Sequence, residues 1–407
     1  MSPRVLLVMP ARTYRAAAFL SAGHRLGLEM VVASEEGSTL GHLHPERELV
    51  IDLADPVGAA EVAAKRAVID PISAVVPVDE AAVLAAAHIA ERLGIRSSPV
   101  RAVAATRNKL TLRERLGPSR VSQPSWWLWA EGAGPGPVTF PCVAKPLDQA
   151  ASRGVIRANN EPELLAAGQR IRRLLAADPD CPDPPGGRSL LVEEFVAGPE
   201  FAVEALLVDG ALRVLAVCDK PEPLDGPFFE ETIYTVPSTL EERVLTQLGD
   251  TVQEAARALG LSQGAIHAEL RLGSGRPVLI DLASRTIGGS CSRVLHFRSG
   301  RTLEEIVLLA ALGEDPGVLE LEAETRGVMM MAIPKSGRLR SMAGRPEVLA
   351  RPSIDGVEVP VPIGGEVVPL PEGDRYLGFI FAHGPSAEVV SADLWDAYHS
   401  LEIVIEG

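Results

Sequence analysis

The sequence predicts a mixed α/β and α+β protein in three units. These are an N-terminal doubly wound parallel-sheet unit (residues 1–98), a two-lobed unit with antiparallel sheets (99–319) and a small C-terminal α+β cap (320–407). Three observations carry this reading. Strand-like and helix-like runs alternate through the first hundred residues, as βαβ units require. Strand pairs joined by short Gly-containing turns dominate the middle. From about Glu320 onward the chain is strand- and turn-rich and closes on one helical stretch.

In chain order, RVLLVMP is an apolar strand, and TYRAAAFLSAGHRLG is an amphipathic helix stopped by Gly27. LEMVVAS and ISAVVPV are further strands, separated by a helix at GAAEVAAKRAVID. AAVLAAAHIAERLG is a helix stopped by Gly94. No GxGxxG follows the first strand, where MPARTYR stands instead, so NAD and FAD are discounted. The second unit opens on one helix, VRAVAATRNKLTLRERLG, then the strand VTFPCVAKPL and the loop DQAASRGV. After the helix EPELLAAGQRIRRLLAA, the Pro- and Gly-rich run DPDCPDPPGGR reads as an exposed loop. SLLVEEFV, FAVEALLVDG and ALRVLAVCD are antiparallel strands with a DG turn, GPFFEETIYTVPSTL is a loop or lid, and EERVLTQLGDTVQEAARALG is a long helix. The cap carries strands in RGVMMMAIP, GVEVPVPIG and RYLGFIFAHG, and the helix SADLWDAYHSLE.

Composition narrows the function. Hydrophobic residues make up 46% and charged residues 23%, as in a globular chain with several cores. The formal net charge of −15 speaks against a nucleic-acid partner and against an anionic membrane surface. VLLVM is too short for a signal peptide, and no run of about 18 apolar residues is present, so a cytoplasmic protein without a membrane span is expected. Cys142, Cys181, Cys218 and Cys291 lack CxxC spacing and read as free thiols.

The chemistry concentrates between Ser262 and Ser290. GAIHAEL and RPVLIDLAS flank the turn-rich RLGSGRP, a hairpin signal. Alternation places His267 and Glu269 on one face of the first strand, and Asp281, Ala283 and Arg285 on one face of the second. A turn centred near Gly275 sets Glu269 directly across from Asp281. Opposed carboxylates repel, and a divalent cation held with substrate phosphates relieves that repulsion. Arg285 stands two residues beyond Ala283 to grip an anionic group beside the metal. The pattern fits a nucleotide-phosphate site.

RNKLTLRERL, PCVAKPLDQAASRGV, LLVEEFVAGPEFAVEAL, DKPEPLDGPFFEETIYTVP and GAIHAELRLGSGRPVLIDLASRTIGG, in that order and over nearly the whole chain, resemble the ATP-grasp superfamily. Within it the likeness is to the carboxylate–amine ligases of the L-amino acid ligase (dipeptide synthetase) branch. The resemblance implies an ATP-grasp fold with a pre-ATP-grasp N-terminal domain, ATP and Mg²⁺ (or Mn²⁺) as cofactors, and small carboxylate and amine substrates, amino acids among them. It allows a homodimer. It places Lys109 and Lys145 on the nucleotide phosphates and lays Ser152, Arg153 and Gly154 over them. Phe195 and Val196 meet the adenine edge through their backbone, with Glu193 at the exocyclic amine and Glu200 on the ribose. Glu269 and Asp281 hold metal, Arg285 stabilises the transferring phosphoryl group, and Glu231, beside Lys220 at the acceptor pocket, holds a substrate ammonium. Phe228 and Phe229 read as core residues, as does Cys291, and His267 as structural.

Three departures from the family pattern stand out, the first being Asp281 itself, a shorter acid where Glu is commoner. The phosphate loop has Gly154 as its single glycine. Ala283 stands where an Asn metal ligand is common, with Ser284 or water left to replace it. Two other readings stay open: an ATP-dependent carboxylase of the biotin-carboxylase type, and a nucleotide-binding regulatory protein with a decayed site.

Overall fold

The computed structural model describes residues 2–11, 13–36, 45–177 and 188–407. The segment read as an exposed loop around Cys181 lies outside the described residues.

The N-terminal sheet is parallel, in the order β3-β2-β1-β4, from β1 (Arg4–Val8), β2 (Glu29–Ser34), β3 (Glu48–Val50) and β4 (Ala74–Pro77). β3 is too short to carry a periodic signal. Helices Ala16–Arg25, Pro56–Ile69 and Val83–Leu93 lie where the apolar periodicity put them, and Gly94 closes the last at φ 65°.

The single helix expected over 100–117 is two, Val100–Arg107 and Lys109–Leu116. Asn108 breaks it by adopting an extended conformation (φ −126°, ψ 113°), and its side chain accepts from the Thr111 N–H at 3.0 Å. An internal N-cap outcompetes helix continuation here, and it sets Lys109 at the first position of the second helix.

A small antiparallel sheet, β5-β8-β6-β7, follows from β5 (Trp126–Trp129), β6 (Cys142–Pro146), β7 (Ile156–Ala158) and β8 (Leu190–Glu194). Helix Glu161–Ala177 covers it. Gly168 lets the helix approach, since a Cβ there would sit 2.3 Å from the Trp129 ring.

The largest sheet has eight strands, in the order β13-β12-β9-β10-β11-β14-β18-β16. They are β9 (Glu200–Val208), β10 (Ala211–Lys220), β11 (Ile233–Val236), β12 (Gly264–Gly273), β13 (Arg276–Ala283), β14 (Thr325–Met331), β16 (Ile354–Glu358) and β18 (Gly378–Gly384). β15 (Gly337–Ala343), β17 (Glu366–Val367) and β19 (Glu402–Glu406) make a separate three-stranded sheet. The segment expected as a lid contains β11, whose four residues are all buried and pair with β14, Thr235 also with β10; the β-branched and aromatic run IYTV favours a strand. β14, β16 and β18, from the residues read as the cap, continue the central sheet. Helix Glu242–Leu259 and the two short helices pack an aliphatic core on one of its faces. Across the other, Leu303, Ile306 and Phe379 join Val5, Leu7 and Phe19, so the N-terminal sheet shares a core with the central one. No described helix is long and apolar enough to cross a membrane.

Candidate active site

One cleft collects the charged residues singled out above, and register explains how. β12 and β13 meet in a two-residue turn, Ser274-Gly275, with both φ values positive. That turn alone pairs Gly273 with Arg276 and would set Glu269 against Ile280. A β-bulge between Glu269 and Leu270 in the ladder adds one residue on β13, and Glu269 pairs with Asp281. The opposition read from the sequence is therefore present, by way of a bulge. His267 faces Ala283, the position of the absent Asn. Ser284 Oγ lies 3.1 Å from Oγ1 of Thr106, which lines the cleft.

The same ladder continues onto β9 and β10. His267 pairs with Glu204, Arg271 with Glu200, and Lys220 with Glu200. Directly opposed residues share a face, so a row of charges crosses four strands. Lys220 Nζ lies 2.7 Å from Glu200 Oε1, 2.5 Å from Glu231 Oε1 and 2.9 Å from Glu269 Oε1. These three carboxylates are close enough together to hold a metal ion, and here they converge on an ammonium. Burial opposes that charge, but Glu200, Glu231 and Glu269 raise Lys220 well above the usual lysine range. Burial also disfavours charge on Glu269, yet Lys220 and His267 hold it well below the carboxylate range. For Glu231 burial wins and the shift is upward. Tyr234 donates to Glu231 Oε1, and Tyr376 to Oε2 at 3.4 Å. His267 Nδ1 is bonded to Glu204, whose other oxygen accepts the Ile287 N–H at 2.8 Å. Burial works against the imidazolium, but Glu204 prevails and raises His267 to about 9. The folded-state value lies above the ordinary one, so this pair's stabilisation is complete below about pH 6.5 and lost as pH rises through about 9.

At the other wall, Lys145 Nζ lies 2.6 Å from Glu193 Oε2, and Arg113 Nε donates to Glu193 Oε1 at 2.6 Å. Burial opposes ionisation of Glu193, but the two cations outweigh it and lower it to about 2. Arg113 also donates to the carbonyls of Leu279 (3.2 Å) and Ile280 (2.6 Å) at the bulge. Lys109 Nζ donates to the Gln149 carbonyl at 2.6 Å and lies 3.8 Å from Asp281 Oδ2.

In the loop 148–154, Ala151 and Ser152 adopt φ of 53° and 56°, a left-handed conformation unusual for residues with a Cβ. Ser152 lines the cleft. Arg153 Nε donates to the Glu372 carbonyl at 3.1 Å, and the Gly154 N–H to Pro371 O at 2.9 Å. Arg170 pairs with Glu372 through two bonds of 2.6 and 2.8 Å, tying the same segment to helix Glu161–Ala177. The Phe195 N–H bonds to Pro141 O, and the Val196 carbonyl accepts from Arg271 at 2.8 Å. Among the described residues the Val196 N–H has no protein partner. Both oxygens of Glu200 already accept, from Lys220 and Arg271 at 2.7 Å each. Phe228 packs on the small sheet's core, as expected. Phe229 instead lines the cleft beside Phe195, at 6.3 Å between ring centroids.

Arg285 reaches the N-terminal unit. Its Nε donates to Glu80 Oε2 at 2.7 Å and its Nη1 to Thr286 O at 2.8 Å, while Arg107 takes Glu80 Oε1 at 2.9 Å. Among the described residues, Arg285 Nη2 has no protein partner. Burial resists the Glu80 charge, but Arg285 and Arg107 lower it to about 2. Glu80, Arg113 and Arg107 were not singled out from the sequence. Their contacts span up to 205 residues, and no local pattern encodes them. Cys291 is buried, and burial pushes its thiol far upward, which excludes a ready thiolate. Cys142 and Cys218 are also buried free thiols.

Hard oxygen donors on opposed strands fit Mg²⁺ or Mn²⁺. Glu269 and Asp281 both line the cleft and are partly exposed, and Asp281 uses Oδ1 on its neighbour's Leu282 N–H, with Oδ2 facing Lys109.

Three family models match the chain: an ATP-grasp N-terminal domain over 20–95, an ATP-grasp domain over 138–294, and an L-amino acid ligase C-terminal domain 2 over 329–406. Carnosine synthase 1 of Gallus gallus is 30% identical over 63% of this chain and 29% of its own length. Dapdiamide A synthase of Enterobacter agglomerans is 30% identical over 46% and 44%, and alanine–anticapsin ligase of Bacillus subtilis (strain 168) 25% identical over 61% and 53%. The chain thus spans between about a third and about half of the length of these curated relatives. An L-amino acid ligase from Bacillus licheniformis superposes over 100% of both chains with a TM-score of 0.82 and 26% identity.

Proposed function

The chain belongs to the ATP-grasp superfamily, and from that premise we propose that it is an ATP-dependent ligase joining a small carboxylate to an amine, at least one of them an amino acid. One observation carries this reading: opposed Glu269 and Asp281 face a cleft that Lys109, Lys145 and Arg285 also line. An ion held there would neutralise charge on the nucleotide phosphates.

Two transfers make up the reaction. A carboxylate oxygen attacks the γ-phosphorus of ATP in line, the bond to the bridging oxygen breaks, and ADP leaves behind an acyl phosphate. The amine nitrogen then attacks the acyl carbon, the carbon–oxygen bond to phosphate breaks, and the nitrogen gives up a proton. Positioning and charge neutralisation carry most of such catalysis. Lys109 and Lys145 hold the phosphates. Arg285, oriented by Glu80, has Nη2 free for the moving phosphoryl group. The Val196 N–H is available to the adenine edge. Glu231 takes the Lys220 ammonium through Oε1, and we assign its Oε2, beside Tyr376, to a substrate ammonium. The retained acids argue against a decayed site.

The first test is interception by hydroxylamine. With ATP, Mg²⁺ and a panel of amino acids and small carboxylic acids, the acyl phosphate should be trapped as a hydroxamate. Arg285→Ala is expected to lower hydroxamate formation about 100-fold while ATP affinity changes little, because its partner exists mainly along the reaction path. Carboxylate-stimulated ATP turnover without hydroxamate or amide would leave an ATPase or a regulatory protein.

Lys145→Ala should weaken ATP binding about 10- to 100-fold in calorimetry. Glu193 keeps Arg113 as its counter-ion, so the variant should remain folded. Unchanged affinity in the folded variant would remove Lys145 from the phosphates.

A further inference from the structure

Between β17 and β18 the chain crosses from the separate three-stranded sheet to the central one. Sheet ladders fix both ends of the crossing: Val367 pairs with Gly337, and Gly378 with Met331. Midway the backbone folds on itself. The Gly373 N–H donates to Pro369 O at 2.9 Å, and a Cβ on Gly373 would sit 2.0 Å from Val368 O, so the bend requires glycine. Its tip presents Pro371 and Glu372 to the loop 148–154. Three contacts converge on these two residues. The Gly154 N–H donates to Pro371 O at 2.9 Å, Arg153 Nε to Glu372 O at 3.1 Å, and the Arg170 fork to the Glu372 carboxylate at 2.6 and 2.8 Å. The Arg170 guanidinium also lies over the Phe228 ring, 5.0 Å from its centroid, which steadies the fork.

The grip matters because of what the loop covers. Gln149, Ala150, Ala151 and Ser152 line the cleft together with Lys109 and Lys145, where the nucleotide phosphates are placed above. The left-handed backbone at Ala151 and Ser152 persists only where surrounding contacts hold it. A nucleotide seated beneath this loop leaves when the loop lifts. Lifting breaks the three contacts, because a bend anchored by strands at both ends cannot follow. The contacts differ in kind. Two end on carbonyls, while the third is a forked ion pair whose two side chains are each 40% exposed. The fork gives it a defined geometry, and its exposure to water and salt keeps it weak enough to open and close.

We propose that the bend 369–373 is a latch with Glu372 as its positioning residue: by gripping Arg170 and the loop 148–154 it holds that loop over the phosphates, and its opening sets the rate at which nucleotide leaves. The latch rests on the nucleotide part of the reading above and is independent of which substrates are joined. The test follows release of mant-ADP, a fluorescent ADP, with Mg²⁺ in stopped flow. Glu372→Gln keeps the shape but removes the charge. Release should become about three- to tenfold faster and Kd should rise in proportion, with association within about twofold of the parent. Without nucleotide, hydrogen exchange of the segment 148–154 should quicken while that of β12 and β13 stays parental. Arg170→Glu combined with Glu372→Arg rebuilds the pair in reverse and should return release to within about twofold of the parent. About 1 M NaCl should narrow the gap between the parent and Glu372→Gln. Arg170→Gln attacks the pair from the other side and carries the test if Glu372→Gln does not fold. Unchanged release in the folded variants, faster release without faster exchange of the loop, or a reversed pair no better than the single variants would overturn the latch. A parent that binds no mant-ADP would overturn it together with the nucleotide reading, whereas a parent that releases mant-ADP as expected but forms no hydroxamate would defeat ligation alone.

Discussion

Lys220→Met is expected to destabilise the protein by about 3–5 kcal/mol at neutral pH and to abolish ligation, as breaking a buried ion cluster by removing one partner does. The ammonium lies within 2.9 Å of an oxygen on each of Glu200, Glu231 and Glu269. Without it, Arg271 compensates Glu200 and His267 lies 3.8 Å from Glu269, but Glu231 has only tyrosine hydroxyls. In the parent, the raised Lys220 value keeps this stabilisation complete below about pH 10.5 and loses it only as pH climbs through the still higher folded value. The variant should behave oppositely. Its crowded carboxylates would bind protons more readily when folded than when unfolded, so its stability should rise as pH falls from 7 to 5. Urea unfolding at both pH values measures this. A variant as stable as the parent, with no gain on acidification, would show that the cluster is held by something other than the ammonium.

Glu269→Gln and Asp281→Asn should each lower turnover at limiting Mg²⁺ at least about 100-fold, since both remove a hard anionic donor from the place proposed for the ion. Their effects on folding should differ. Opposed carboxylates considered alone suggest that either substitution relieves repulsion. Glu269, however, is drawn to Lys220 and His267, so its neutralisation forfeits attraction and should destabilise. Asp281 has Lys109 at 3.8 Å and its neighbour's N–H, and Asp281→Asn should fold as the parent does. Turnover against Mg²⁺ concentration, alongside thermal melting, separates the two. Parental turnover for either variant at limiting Mg²⁺ would end the metal role of that residue.

Much of this was legible in the sequence because it is local. Apolar periodicity located the long helices, and paired runs around Asp209-Gly210 and Ser274-Gly275 located the hairpins. The limits were physical as well. The bulge on β13 leaves no mark in a run of apolar residues, so Glu269 and Asp281 met for a reason the hairpin signal does not contain. Asn108 looked like one more polar residue on a helix, although its short amide competes for backbone N–H groups. Lys220 read as the flank of a lid, because only the sheet order brings β9, β10 and β12 together around it. Glu80 acts across the boundary between two units, where sequence neighbours say nothing about spatial ones.

Arg113, among the largest fully buried side chains, joins Glu193 on β8 to the bulge carbonyls of Leu279 and Ile280 on β13. Glu193 in turn holds Lys145, and Ile280 immediately precedes Asp281. The lysine expected on the nucleotide and the acid expected on the ion therefore take their positions from a common datum. A small displacement of either sheet is carried to both through one rigid planar group.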